Sequence, residues 1–549
     1  MNHPIQTTLL IVCGLYVCTA FGQTPPDSGR ILQQERMAPP PPIPSPTLEI
    51  LSPGFKAVQP GGAKVRVKEV KFTGNSVYSS AQLAAVLGRV GGQALDLAGL
   101  QALARKVTVF YREHGYPFAT AYLPAQKLVH GVLRIRILEG RYGQVKAEGG
   151  TGVANHAQRF LSHLKSGGVI KMAPLQRSLL LLDDLPGIHT RPVIRPGQEV
   201  GTGDLIVHVT REPSFTGEIG GDNHGDRFTG EYRVRAGLQW NSPFSFGDRI
   251  TLNGFLSNER QWLGDFRYDM PLGNSGLRGR FGYAHTRYHL GKGFKPLDAN
   301  GTVDQVTIGG SYPVIRSQHR NLTIDGAWQH KWLKDNQSAT NTRNNKRSDI
   351  LPLSLHFDLR DGMLGGGLNY GSLSLAAGNL KLGVPLEAID ASTARTAGHF
   401  HKWDLDLVRV QSTPFSKLRL YGRFSGQWAS KNLDSSEEFG LGGPYGVRAY
   451  PVGEGFGDAG WLAQVEVRYR VGHAAPYGFY DAGRVKINER PWKSGRNHRS
   501  IAGAGIGLRY SRLSFDVDAS LAWRTRGGRP LSDTKNRKPR GWVTAAWHF

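Results

Sequence analysis

From about residue 213 onward, apolar and polar side chains change places at every residue over segments of about 10 positions, separated by Gly-rich turns. Trp461, Ala463, Val465, Val467 and Tyr469 fall on one face, and Gln464, Glu466, Arg468 and Arg470 on the other. Leu513, Phe515, Val517, Ala519, Leu521 and Trp523 alternate in the same way with Ser514, Asp516, Asp518, Ser520 and Arg524. A period of two is that of a strand with two different faces. The polar faces are charged strand after strand, which suits a wet lumen better than a soluble sandwich. About 16 such segments can be counted, the first near 215–222 and the last near 539–549. Connections alternate between short (Thr413-Pro414-Phe415, Gly472 to Ala474, Ser511-Arg512) and long (381–397, 431–459, 526–538). The pattern predicts a mostly β protein whose residues 213–549 form an antiparallel transmembrane β-barrel without helices.

The first part of the chain has mixed periods. Residues 1–22 hold an apolar run of signal-peptide length, and 23–36 hold a short helix candidate that Asp27 or Ser28 can cap. Residues 37–63 include Pro39-Pro-Pro-Pro-Ile-Pro-Ser-Pro46, an extended linker. Residues 64–143 read as β-α-α-β-β: a strand from Val65, helices from Ser80 to Leu87 and from Leu97 to Glu113, then strands at 119–123 and 132–138. Residues 144–212 repeat that order, with strands at 144–147, 189–194 and 205–210 and helices at 155–164 and 174–182.

Composition narrows the chemistry. The 549 residues carry a net charge of +25, which points to an anionic partner. Both cysteines, Cys13 and Cys18, lie in the expected leader, so a processed chain has neither a disulfide nor a thiol nucleophile. No His-Glu-x-x-His, Gly-x-Ser-x-Gly or Walker motif occurs. Gly455-Phe-Gly457-Asp-Ala-Gly460 matches a dinucleotide fingerprint but precedes a strand, where that fold needs a helix. Neither an enzyme, a cofactor nor a metal is expected. The basic clusters Arg343 to Arg347 and Lys535 to Arg540 sit in or beside candidate external loops, where lipopolysaccharide phosphate is a better match than nucleic acid in an exported protein.

One long loop stands out. Leu441-Gly-Gly-Pro-Tyr-Gly-Val-Arg-Ala-Tyr-Pro451 is punctuated by Gly and Pro and carries a single cation, Arg448. On the second strand after it, Phe479, Asp481 and Gly483 share a face, and a carboxylate is costly toward lipid, so that face should be luminal. Arg448 and Asp481 are placed to form a charge-assisted pair. The plainer reading is a solvated loop cation and one luminal charge among many. Gly503, Gly505 and Gly507 on the next strand leave space for a loop to pack.

The two tandem units resemble POTRA domains, including Phe72-Thr-Gly-Asn75 and Leu138-Glu-Gly-Arg141. With the barrel, the Val447-Arg448-Ala449-Tyr450 loop and the Phe479-x-Asp481-x-Gly483 strand, the chain resembles the outer-membrane transporters of two-partner secretion, within the POTRA-barrel insertase superfamily. Gly221 to Gly230 and Asn241 to Asp248 resemble that family's first barrel hairpin and turn. The resemblance implies a pore in the bacterial outer membrane with its POTRA domains in the periplasm. It implies a secreted adhesin- or haemolysin-like exoprotein as partner, and lipid, periplasmic chaperones and the barrel-assembly machinery as contacts during biogenesis. It also implies that Arg448 lies in the lumen against Asp481, that the N-terminal helix plugs the pore, and that the terminal strand with Trp547 and Phe549 is an assembly signal. The family loop has Gly where this chain has Ala449, which predicts a clash or a forbidden positive φ at that point. A barrel-assembly insertase, a passive porin and a surface adhesin or enzyme are the rival readings. The first shares the superfamily motifs, the second leaves the periplasmic units unexplained, and the third needs large external domains.

Overall fold

The computed structural model describes residues 25–35, 41–42, 59–150 and 152–549. The expected leader and most of the proline linker lie outside the described residues. The described chain divides into two compact units, each with its own core.

The smaller unit holds the two β-α-α-β-β repeats. In the first, Glu69–Thr73 runs parallel to Val132–Leu138, and Thr120–Tyr122 pairs antiparallel on the other side of that last strand. Helices Ser80–Leu87 and Leu97–Glu113 cover the sheet, burying Leu83, Leu87, Leu100, Leu103, Val107 and Tyr111 against Leu133, Ile135 and Ile137. The helix starts follow from their caps. Ser79 and Gln82 form a reciprocal capping box, and Asp96 accepts the amide of Gly99. The first predicted strand is broken in two: Val65–Arg66 pairs with Ala94–Leu95, a short strand not expected from the sequence, and the sheet strand begins only at Glu69. The second repeat has the same order, Arg141–Gly149 parallel to Thr202–Arg211 and Ile188–Pro196 antiparallel to it. Its first strand begins at Arg141, ahead of the expected Gln144, and its helices are Val153–Phe160 and Met172–Asp183.

The quoted glycine motifs meet at the junction of the repeats. Glu139, almost fully buried, accepts the amides of Ser76 (2.6 Å) and Val77 (2.8 Å) and the Tyr111 hydroxyl (3.0 Å), and pairs with Arg141 (3.3 Å). Burial raises the Glu139 pKa, but the Ser76 and Val77 donors outweigh it and hold the carboxyl below its ordinary range. Gly140 has φ +72°, and a Cβ there would lie 2.6 Å from that of Phe118, so the turn requires glycine.

The larger unit is a closed antiparallel barrel. Its strands are β1 (Phe215–Asp222), β2 (Arg233–Asn241), β3 (Arg249–Ser257), β4 (Trp262–Pro271), β5 (Arg278–His289), β6 (Ala299–Arg316), β7 (Arg320–Gln337), β8 (Thr342–Asp361), β9 (Gly367–Leu382), β10 (Gly398–Ser412), β11 (Leu418–Ala429), β12 (Ala459–Tyr469), β13 (Ala474–Lys486), β14 (His498–Arg512), β15 (Phe515–Arg526) and β16 (Arg540–His548). Each pairs with its sequence neighbour, and β16 closes on β1 through Thr544↔Asp222 to His548↔Glu218. The number is 16, as the alternation predicts. Closure satisfies every ladder that lipid would otherwise leave unpaired. Outward positions are apolar and exposed, among them Trp240, Leu351, Leu353, Trp403, Trp461, Val465, Val467, Leu521 and Trp547, while Lys331, Lys346, Lys402, Glu466 and Asp481 point inward and are buried.

Turns at one end are short, and most of the loops at the other are longer, the longest being 430–458. Short turns mark the periplasmic side and long loops the external one. Two expectations fail here. The loop 383–397 contains a helix, Val384–Ser392, started by a proline in its first turn and stopped where Asp390 accepts the Thr396 hydroxyl (2.8 Å) and the amides of Thr396 (2.8 Å) and Ala397 (3.0 Å). The hairpin between β14 and β15 turns at Leu513-Ser514, not Ser511-Arg512. Leu513 sits there at φ 53°, fully exposed, and belongs to no lipid-facing row.

Candidate functional site

The loop 430–458 folds back into the barrel. A two-stranded clasp, Phe439–Gly440 with Phe456–Gly457, closes its neck. Asp458 accepts the amides of Leu433 (2.9 Å) and Glu489 (2.7 Å), and Glu454 accepts those of Leu531 (2.8 Å) and Ser532 (2.9 Å) while pairing with Arg499 (2.7 Å). The tip is apolar. Leu441, Val447, Ala449 and Tyr450, each at 1% exposure or less, pack on Leu462, Tyr477, Phe479, Val485, Ile501 and Ala522 of the wall. Leu441 rests on Gly483, where a Cβ would come within 2.6 Å of it.

Arg448 lies at the centre. Its Nε donates to Asp481 Oδ2 (2.8 Å) and its Nη2 to Oδ1 (2.6 Å), a bidentate pair, and its own amide also reaches Oδ2 (3.1 Å). Nη1 donates to Glu466 Oε1 (2.7 Å), and the guanidinium stands 3.5 Å from the centre of the Phe479 ring. Asp481 is fully buried, so the pair is desolvated and depends on this geometry. The carbonyl of Arg448 accepts the indole N–H of Trp542 (2.7 Å), and the Tyr450 hydroxyl donates to the carbonyls of Arg526 (2.8 Å) and Gly528 (2.9 Å). The loop therefore touches every strand from β12 to β16 and the loop after β15.

Val447, Arg448, Ala449 and Tyr450 are thus brought together with Phe479, Asp481 and Gly483 at one place on the wall. Ala449 does not cause the clash expected of it. It is absent from the positive-φ residues, and its methyl group fills the space left by Gly503, where a second Cβ would approach it to 2.3 Å. Gly505 and Gly507 serve the wall and not the loop: they lie under the rings of Phe479 and Tyr477. Trp547 and Phe549 are far from this site. They stack on the outer face (5.3 Å), and Phe549 exchanges backbone hydrogen bonds with Gly217 (2.9 and 3.0 Å) across the closing seam.

Sequence reasoning missed Glu466 as a member of the site. It takes Arg448 on one oxygen and, on the other, Arg468 (2.7 Å) and Arg509 (3.3 Å). Its inward parity on β12 is visible, as is Arg468 two residues on, but Arg448 reaches it from the folded loop and Arg509 from β14, whose height only the register fixes. Trp542 was missed for the same reason.

A second element occupies the same barrel. The helix Ser28–Gln34 is capped by Asp27. Lys346 donates to Asp27 (2.8 Å) and to Asp434 of the long loop (2.6 Å). The amide and hydroxyl of Ser28 both bond Asp335 (2.8 Å each), and Arg233 pairs with Glu35 (2.7 Å). Burial opposes the charge on Asp27, but Lys346 wins and holds that carboxyl far below its ordinary range. Ile31 is the apolar anchor, fully buried among Phe228, Tyr288, Leu290, Phe294 and Ala299. Gly29 passes so close to Ser435 and Ser436 that a Cβ would fall within 2.5 Å of them. These contacts come from opposite parts of the wall, so the helix lies across the lumen toward the external end.

Comparisons with known proteins agree with this architecture. The family described as "Haemolysin secretion/activation protein ShlB/FhaC/HecB" matches residues 201–510, and the "POTRA domain, ShlB-type" matches residues 65–140. The heme/hemopexin transporter protein HuxB of Haemophilus influenzae (strain 86-028NP) is 28% identical over 92% of this chain and 92% of its own length. The hemolysin transporter protein ShlB of Serratia marcescens is 24% identical over 86% of this chain and 85% of its own. The structure of CdiB from Escherichia coli superposes with a TM-score of 0.72 at 17% identity, covering both chains completely, which is a likeness of fold. The protein is a transmembrane β-barrel of the outer membrane with periplasmic POTRA domains. It belongs to the ShlB/FhaC/HecB family of haemolysin secretion/activation proteins.

Proposed function

We infer that the chain carries an unfolded partner exoprotein across the outer membrane by two-partner secretion, as a conduit with no chemistry of its own. The observation that supports this best is a lumen filled by two separately anchored elements, the helix Ser28–Gln34 and the loop around Arg448, each fixed by buried charges. A passive porin has no use for such a closure. The loop acts as a latch that holds the β12–β16 wall in shape, and the helix acts as the plug that yields when a client arrives.

The periplasmic units offer one place for an extended client to pair. Among the described residues, the outer edge of Thr120–Tyr122 is taken by Thr108, which accepts the Ala121 amide (2.9 Å). The edge of Arg141–Gly149 is taken by Gln158, bonded to the Ala147 amide (2.7 Å) and the Val145 carbonyl (3.1 Å). Ile188–Pro196 carries two prolines, and its Thr190 amide is held by Asp183 (2.8 Å). Glu69–Thr73 has no such cover and is the edge we assign to strand addition by the client.

The test is secretion. With the cognate exoprotein co-expressed, Arg448→Ala is expected to abolish its release to the medium, and Val70→Pro, which disturbs the open edge, to lower it at least tenfold. Release at the wild-type level by Arg448→Ala overturns the latch role. If depleting the protein instead lowered outer-membrane proteins in general, an insertase would replace the secretion reading.

A further inference from the structure

At the external end of β7–β10 the inward and outward lysines and arginines are treated in opposite ways. Inward, every lysine near the external end has a carboxylate: Lys331 with Glu437 (2.6 Å), Lys346 with Asp434 (2.6 Å) and Lys402 with Glu437 (3.0 Å). Outward, at alternate positions of the same strands, stand Lys334, Arg343, Arg347, Lys381, His399 and His401, all exposed. Arg343, Arg347 and Lys381 have neither an ion pair nor a side-chain hydrogen bond among the described residues.

The register makes this a cluster. Arg347 pairs directly with Lys381, so two like charges face each other across neighbouring strands, an arrangement that costs stability unless something anionic lies between them. Lys334 pairs with Asn345 and His399 with Asn379, which places both diagonal to that pair. The outward acids nearby are already engaged: Asp349 with His330 (2.6 Å), and Asp304 on β6 with Tyr283 and His285 (2.7 Å each).

The level of the cluster identifies its ligand. Toward the periplasm, the same outward rows continue as Leu351, Leu353 and Leu355 on β8, Leu375 and Leu373 on β9, and Trp403, Leu405 and Leu407 on β10. Trp328 on β7, and Trp428 opposite Trp403, complete an aromatic girdle at the edge of this apolar band. Strands β7 and β8 run 18 and 20 residues, well beyond the band, and carry the cations above it on the external side. Unpaired cations immediately above acyl-chain height match a phosphate-bearing lipid headgroup, to which arginine binds in a bidentate manner.

We propose that the outer face of β7–β10 is a binding site for a multiply phosphorylated glycolipid of the outer leaflet, gripped by Arg343, Arg347 and Lys381 with Lys334 and His399 at its sides. The site rests on the outer-membrane placement of the barrel and not on its secretion role.

The test uses the detergent-purified full-length protein, with native mass spectrometry and thermal unfolding as readouts. The probes are diphosphorylated lipid A, the same lipid with its phosphates removed, and inorganic pyrophosphate. Diphosphorylated lipid A is expected to stay bound and to raise the unfolding midpoint of the wild type by several degrees. In Arg343→Gln/Arg347→Gln/Lys381→Gln its affinity should fall at least tenfold. The dephosphorylated lipid should give little shift. Pyrophosphate binding as tightly as the lipid would make the site one for free phosphate and overturn the lipid assignment. Equal lipid loss in Lys535→Gln/Lys538→Gln, a variant of the other basic cluster, would reduce the effect to net charge and overturn the site. Exoprotein secretion by the triple variant, expected to persist, separates this proposal from the functional one.

Discussion

Two segments fill the barrel, and they are held by different physics. The latch loop buries an apolar tip of four residues and sets a bidentate guanidinium on a carboxylate with no exposure to water. The helix Ser28–Gln34 has one fully buried apolar anchor, Ile31, and otherwise depends on ion pairs and hydrogen bonds at its two ends. Apolar burial contributes about 1.5–3 kcal/mol per large side chain with no partner to keep in place, whereas the attraction in a buried ion pair such as Lys346–Asp27 or Arg233–Glu35 is largely offset by desolvation. On the function proposed above, the loop stays and the helix leaves. Ser435 of the loop donates to Asp27 at the N-terminus of the helix, and Asp434 of the loop shares Lys346 with Asp27, so the loop forms part of the socket for the helix.

The largest expected effect comes from breaking the permanent side. Arg448→Ala leaves Asp481 buried without its cation, while Glu466 keeps Arg468 and Arg509, a loss of about 3–5 kcal/mol. A lowered unfolding midpoint in detergent would show it, and an unchanged midpoint would contradict the desolvated pair. Next is the contact at Gly503. Gly503→Ala forces a second methyl group against Ala449 and should cost about 1–3 kcal/mol, and Ala449→Gly in the same chain should restore most of it. A double variant no better than the single would mean that the bulge between Ala502 and Gly503, and not the methyl contact, requires the glycine.

The removable side should respond in conductance more than in stability. Lys346→Gln frees Asp27 and Asp434 together, and in planar bilayers the time spent open should rise several-fold while the unfolding midpoint moves by less than in Arg448→Ala. The smallest effect is a pH dependence. Burial pushes Glu438 up to about 7, against the pull of Arg30 3.9 Å away. Because this carboxyl titrates higher when docked than when free, its contribution to docking is complete below its ordinary value of 4.5 and is lost as pH rises through about 7. Opening should therefore increase between pH 6 and pH 8, and Glu438→Gln should flatten that rise. An equally steep rise in the variant would assign it to Asp226, which burial also raises to about 7.

Much of this was legible because a strand advertises its two faces. The inward row Gln464, Glu466, Arg468 and the outward row Trp461, Val465, Val467 are fixed by parity alone, as is the inward Asp481. Arg448 was legible as the one cation of an otherwise neutral loop tip. What parity cannot supply is relative height. The reach of Arg509 from β14 to Glu466, and Trp542 under the loop carbonyl, both depend on how far each strand is displaced along its neighbour. The helix Val384–Ser392 escaped because nine residues carry too little periodicity, and the signal that fixes it, Asp390 folding back on Thr396 and Ala397, is a tertiary contact. At Ala449 the error was to judge one residue without the one it faces. The missing hydrogen-for-methyl exchange lies more than fifty positions away, at Gly503.

The seam between β1 and β16 has a consequence in time. Gly217 and Phe549, which bond each other there, stand at opposite ends of the barrel sequence, so the first strand waits for its second neighbour until the last has been made and delivered. Until then any partial sheet carries two open edges, each a template for wrong pairing, and neither can enter lipid unpaired. The interval between synthesis and closure is the vulnerable period in the life of this protein, and it lasts at least until β16 has been delivered.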